Sequence, residues 1–313
     1  MKFKVLLLAV LILATGCEKK NLIEMKWDKL STGTTENVTG IFFENDSKGW
    51  AVTSAGNILH TEDGCKTWTT HDLGDYYLED IFFAEDDDGF AVGSDGCLFH
   101  TKDGGKTWID ESLDQKIWLY DIGFWDDDEG IIVGVNKTES GSLDGVLLAS
   151  HDGGDTWQEV YNDMIGMSSL FMRGSQLGWI TCTGSVGSTT NGGETWEKNI
   201  LDDRDVVRGC FFHNAQSGWI VGHGGLLAST NDGGWSWQRK GQLTEQNLYA
   251  VGFLSMLEGV AVGENGKMFL TVNSGNSWAI DSNFVKVTLR DIEVVEDRMW
   301  ICGDDGTIIS VHK

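Results

Sequence analysis

Residues 101–108 read Thr101-Lys102-Asp103-Gly104-Gly105-Lys106-Thr107-Trp108, and the chain returns to this phrase throughout its length. One copy precedes it, Thr61-Glu62-Asp63-Gly64-Cys65-Lys66-Thr67-Trp68. The next is Ser150-His151-Asp152-Gly153-Gly154-Asp155-Thr156-Trp157. Looser copies occupy 189–196, 230–237 and 271–278, with Asn191, Asp232 and Asn273 at the acidic position. The closing tryptophans are Trp68, Trp108, Trp157, Trp196, Trp237 and Trp278, a period of about 40 residues with one longer step. A fixed period of that size marks a repeat architecture. It also assigns these residues a structural duty, because a catalytic group is rarely needed in every copy.

A second phrase runs in step with this box. It begins at Gly49-Trp50-Ala51-Val52 and returns at Gly89, Gly130, Gly178, Gly218 and Gly259, and finally as Met299-Trp300-Ile301-Cys302-Gly303. That makes seven copies against six of the box. A short apolar stretch precedes each one: 40–43, 80–83, 121–124, 169–172, 209–212, 250–253 and 291–294. With a third stretch before the box and a fourth from its Trp, each unit holds four strand-sized pieces. Four antiparallel strands in about 40 residues make one β-propeller blade. The fold expected is therefore all-β, a seven-bladed propeller over 24–313. The last unit ends at its third strand, near 308–311. The segment Met25-Lys26-Trp27-Asp28-Lys29-Leu30 looks like a fourth strand without a box. We expect it to complete the last blade and close the ring.

The box chemistry fits a turn. The Gly pair permits positive φ, the Asp or Asn accepts backbone N–H groups, and the Trp fills space between blades. His60 and His100 share one repeat position and read as packing residues. Composition agrees: 41 Gly, 14 Trp and 14 Phe, and no Pro, so every turn falls to Gly, Asn, Asp or Ser. The formal net charge of −25 repels nucleic-acid phosphates, and no nucleic-acid partner is expected.

The chain opens with Met1-Lys2-Phe3-Lys4, then an apolar run over 5–14, then Ala14-Thr15-Gly16-Cys17. The run is too short to span a bilayer, and the pattern is a secretory signal ending before a cysteine. It is similar to a bacterial lipobox. The resemblance implies removal of 1–16, acylation of Cys17 and a tether over 17–23, so membrane attachment is through the lipid anchor alone. Glu18 is not the Asp that, by analogy, holds lipoproteins at the inner membrane, so the outer membrane is expected. Five further cysteines cannot form a complete disulfide set. Cys182, Cys210 and Cys302 read as buried, Cys65 replaces a turn Gly and reads as exposed, and a Cys65–Cys97 bridge stays open. Metal-ligand spacing is missing, and no cofactor is expected.

The combined pattern, from Gly89-Phe90-Ala91-Val92-Gly93 to the box, resembles the repeat of the photosystem II assembly and stability factors. These are a branch of the Asp-box (BNR) propellers, and the resemblance covers roughly 25–313. It implies a protein-binding assembly factor. Nothing in the residues indicates a photosynthetic host, so the photosystem itself is not carried over. Box-bearing sialidases use three arginines and an Arg-Ile-Pro segment; this chain has six Arg in all and no Pro. The alternative reading is a glycoside hydrolase using Glu79, Asp80, Asp121 or Asp291, whose carboxylates would have to stand about 5–10 Å apart.

In propellers, ligands favour the face formed by the starts of the first strands. Those positions are Thr39, Glu79, Tyr120, Ser168, Arg208, Tyr249 and Arg290, which differ while their neighbours repeat. Glu79, Trp118, Tyr120, Arg208, Tyr249 and Arg290 are the candidate ligand-binding residues. The partner expected is an envelope protein, peptide or glycan, and the chain itself a monomer. The longer step between Trp108 and Trp157 comes from extra residues over 135–144, which we place on the same face as a binding loop.

Overall fold

The computed structural model describes residues 25–113, 117–138, 141–160, 163–281 and 284–313; the signal, Cys17 and the tether lie outside them. Seven four-stranded antiparallel sheets follow one another in sequence order. The second is typical: Leu78–Phe83, Gly89–Gly93, Leu98–Thr101 and Ile109–Asp110. The seventh joins Leu289–Val295, Arg298–Gly303 and Thr307–His312 to Lys26–Ser31 from the other end of the chain. Trp27 stands opposite Val311 and Leu30 opposite Ile308, so the closing strand is where the sequence placed it.

The core is divided into seven clusters, each between neighbouring blades. Trp50, Trp179 and Trp300, from the second strands, are fully buried. Each box is tied by its own acid. In the second blade Asp103 Oδ1 accepts the Thr107 amide at 2.8 Å and Oδ2 accepts the Thr107 hydroxyl at 2.7 Å. Asp63, Asp152 and Asp232 repeat both contacts. Asn191 and Asn273 keep the amide contact and donate to the hydroxyl in place of accepting from it. The box Trp side chains are half-buried: Trp68, Trp108, Trp157, Trp196, Trp237 and Trp278 pack on the inter-blade clusters, all but Trp68 edgewise or tilted against an aromatic ring. His60 and His100 stack on Trp50 and Phe90, as packing residues should.

The second Gly of the box meets the preceding blade. A Cβ on Gly154, at φ +84°, would lie 2.3 Å from the Phe90 ring. Gly33 has a similar φ of +79° and open space around it. We therefore expect Gly33→Ala to cost about 1–2 kcal/mol of backbone strain alone. Gly154→Ala should cost more than that by about 1 kcal/mol, since overpacking adds to the strain. Equal urea midpoints for the two variants would remove the overpacking argument.

Cys65 occupies this Gly position in the first blade and keeps its positive φ, 66°. It is not exposed, as the sequence suggested, but 3% accessible, packed in the cluster that holds Trp300 of the seventh blade. Burial pushes its thiol up to about 12, and Cys97 likewise. Both are free and buried.

Candidate functional site

In five of the seven blades the first strand begins two residues before the apolar stretch that announces it; in the third it begins four before, at Ile117, and in the fourth at Ser169 itself. Val38 pairs with Thr53, Gly40 with Val52, and Thr39 is left over between them. The same irregularity falls at Glu79, Tyr120, Arg208, Tyr249 and Arg290. A β-bulge takes one residue out of the ladder and re-aims its side chain. Here it does so at the residues singled out from their variation. The fourth blade pairs from Ser169 without a shift, and Ser168 sits just before it. The Gly that ends the second strand makes room for the bulge: a Cβ on Gly93 would stand 2.1 Å from the Tyr77 carbonyl.

All seven positions line a central channel of about 940 Å³. Two of them serve the frame. Thr39 Oγ1 donates to the Leu78 carbonyl at 2.7 Å, and Ser168 Oγ to that of Val207 at 2.7 Å, each binding the next blade. The other five make the mouth. Glu79 accepts from Trp118 Nε1 at 2.9 Å. Burial pushes Glu79 up to about 7, against the pull of that hydrogen bond and of the Arg290 and Arg208 charges. Arg290 Nε donates to Asp304 at 2.6 Å, Arg208 Nε to His223 at 3.1 Å, and Tyr249 OH to Glu264 at 3.1 Å. Trp118 is exposed and lies between Tyr77 and Tyr120, with ring centroids 5.8 and 6.0 Å away. The mouth thus offers two guanidinium groups inside an aromatic girdle.

One residue deeper lies a second ring, where Asp80, Asp121 and Asp291 border the channel. Each reaches across a blade boundary. Asp291 accepts from the Ile41 amide at 3.3 Å, Asp80 from Ile122 at 3.1 Å, and Asp121 from Leu170 at 2.8 Å. Asp80 and Asp121 also hydrogen-bond each other. Desolvation raises all three, Asp121 to about 7 and Asp291 to about 6, with mutual repulsion adding most at Asp80. Glu293, farther along the channel, is raised for the same reasons. Asp80 and Asp121 thus interact with each other, and all three acids are engaged with backbone amides of the next blade.

Among the described residues, the extra segment of the third blade is part of its strands. It lengthens a hairpin, with Val135 opposite Gly145 and Lys137 opposite Leu143. Leu143 accepts from the Gly166 amide at 3.0 Å, and Leu143 and Ile165 form an exposed apolar ridge on the mouth side. Sequence reasoning missed this ridge and Tyr77. Tyr77 was legible in principle, since it stands immediately before Leu78, where the strand begins.

The profile of the family described as Photosynthesis system II assembly factor YCF48 matches residues 19–118 and 195–280. The Photosystem II assembly lipoprotein Ycf48 of Picosynechococcus sp. is 28% identical over 322 residues, covering 96% of this chain and 92% of its own. Among solved structures, YCF48 bound to D1 peptide superposes with a TM-score of 0.74 at 21% identity, over 92% of this chain and 97% of that one. Virginiamycin B lyase from Staphylococcus aureus superposes at 0.76 with 14% identity, over 93% and 100%, so the fold is shared with an enzyme as well. The profile covers more than half of the sequence and carries the blade pattern seen here, and the chain belongs to the photosystem II assembly factor YCF48 family.

Proposed function

We propose that this chain is a non-enzymatic, protein-binding assembly factor of the bacterial envelope, tethered by lipid at Cys17, whose channel mouth holds an extended segment of a client protein. The observation that carries it is the bulged ring, which aims Arg208, Arg290, Tyr120 and Tyr249 into one open mouth beside Trp118 and Tyr77. Aromatic rings and Arg are the side chains that dominate binding energy at interfaces. The Leu143–Ile165 ridge adds an apolar wall for a client side chain. A YCF48 relative has been solved with a peptide, and a lipoprotein relative spans nearly the whole chain, which supports both halves of the reading. The outer membrane follows from Glu18 by analogy alone.

The test is a crosslinking pull-down from envelope membranes with the full chain and with Arg208→Ala plus Arg290→Ala. The double variant should recover its main partner at least about 10-fold less, the effect of losing roughly 1.4 kcal/mol or more, with an unchanged urea midpoint. Equal recovery would remove the mouth from the interaction. Partners dominated by glycans would redirect the reading from a polypeptide client to a sugar.

A further inference from the structure

The face opposite the mouth is made by the boxes and by the turns between first and second strands, which hydrogen-bond each other: Gly104 N to Asp87 O at 2.9 Å, and Ser274 N to Leu257 O at 3.0 Å. This face is not uniform. In the second and third blades its turns are runs of acid, Glu85-Asp86-Asp87-Asp88 and Asp126-Asp127-Asp128-Glu129. In the fifth the corresponding turn, Asn214-Ala215-Gln216-Ser217, is uncharged. In the sixth it carries Met256 and Leu257, 57% and 55% exposed. Val272 of the sixth box is also exposed, and Trp235 of the fifth is 64% exposed. Ser274 Oγ donates to the Met256 carbonyl at 2.6 Å, holding turn and box of the sixth blade together.

The chain enters the ring on this same face. Lys26 starts the outer strand of the seventh blade, beside His312 at the end of the third strand, and this outer strand runs toward the mouth. The seventh blade is the neighbour of the sixth, as the cluster shared by Trp27, Val260 and Met268 shows. Eight residues lie between Cys17 and Lys26, an extended reach of at most about 30 Å. A pose with the box face toward the bilayer needs none of that reach stretched. A mouth-down pose must use most of it passing a flank built of strands about 20 Å long.

Resting on the lipid-anchor reading above, we propose that the box-face sector of the fifth and sixth blades is a membrane-contact surface. In it Trp235, Met256, Leu257 and Val272 enter the lipid interface, while the acidic turns of the second and third blades face away. Trp prefers the headgroup level, and apolar side chains add binding in proportion to the area they bury. Repulsion between the acidic turns and anionic lipid tips the ring the same way. The mouth is thereby presented away from the surface, toward clients.

The native cysteines among the described residues are all buried, so a single surface cysteine can be labelled selectively. The full lipidated chain would carry bimane at Leu257→Cys or, as a control, at Ile200→Cys. Ile200 is 71% exposed and ends an outer strand on the mouth side. Both proteins would be bound to phosphatidylcholine vesicles with plain or brominated acyl chains. Bromine should quench the label at 257 by about half and leave that at 200 unchanged. Acyl mass on the Cys17 peptide together with flotation, but no quenching at 257, would overturn the contact surface and leave the anchor standing. A chain without acyl mass that fails to float would overturn both. A bimane emission shift at 257 when envelope protein is added, with no bromine quenching before or after, would assign the patch to a protein partner and overturn the lipid surface.

Discussion

Replacing Trp27 by alanine is expected to lower the stability of the whole ring by about 3–5 kcal/mol, the usual range for emptying a buried Trp or Phe site. Trp27 is 6% accessible and belongs to the cluster that contains Val260, Met299 and Val311. Its ring lies 5.9 Å from that of Phe284. The strand it anchors pairs into the seventh blade and runs on directly into the first, so it clasps the two together. The loss should therefore appear as one cooperative transition moved to lower urea, not as fraying of a single edge. Trp235→Ala is the control: Trp235 is 64% exposed, and its loss should stay within about 0.5 kcal/mol. A Trp27→Ala midpoint that falls no further than the control would mean the clasp is dispensable.

The second large effect is a stability maximum in mild acid. In the folded chain Glu79 and Asp121 are raised to about 7 and Asp291 to about 6, whereas unfolded carboxyls titrate near 4. A raised carboxyl favours the fold fully below pH of about 4 and loses that contribution as pH climbs through the folded value. Each proton retained only by the fold gives a slope of about 1.4 kcal/mol per pH unit over that window. The box acids act in the opposite sense. Hydrogen bonds from Thr or Ser hold Asp63, Asp103 and Asp232 down to about 2, so their contribution is present above about 4 and disappears as pH falls toward 2. Urea midpoints should therefore peak near pH of about 4 and decline as pH climbs to about 7. Asp121→Asn keeps a carbonyl for the Leu170 amide and removes the charge beside Asp80. It should flatten the decline by about one proton's slope. A decline of the same steepness in that variant would show that the slope arises elsewhere.

The count of blades was legible because Trp, Gly and Asp recur in step, and a missing box beside an orphan Trp27 has one closed solution. Register inside the blade was harder to read. The apolar stretches begin at 40, 80 and 121, while the strands begin at Val38, Leu78 and Ile117. A bulge breaks the alternation that would have marked the earlier start. Contacts between blades were out of reach for a similar reason. Cys65 is covered by Trp300, Asp80 touches Asp121, and Asp144 bridges Ile165; each pair is joined by geometry that one strand's pattern does not carry. The variable positions were found because they vary, but only the bulge explains why variation there leaves the ladder intact.

Lys26–Ser31 and Thr307–His312 stand at opposite ends of synthesis. Because the chain is made from its N-terminus, the first strand must wait for the last. Until then six blades stand with an unlatched gap, and a ribosome that stops some twenty residues early delivers a molecule that cannot seal. Quality control of this protein need inspect only one seam.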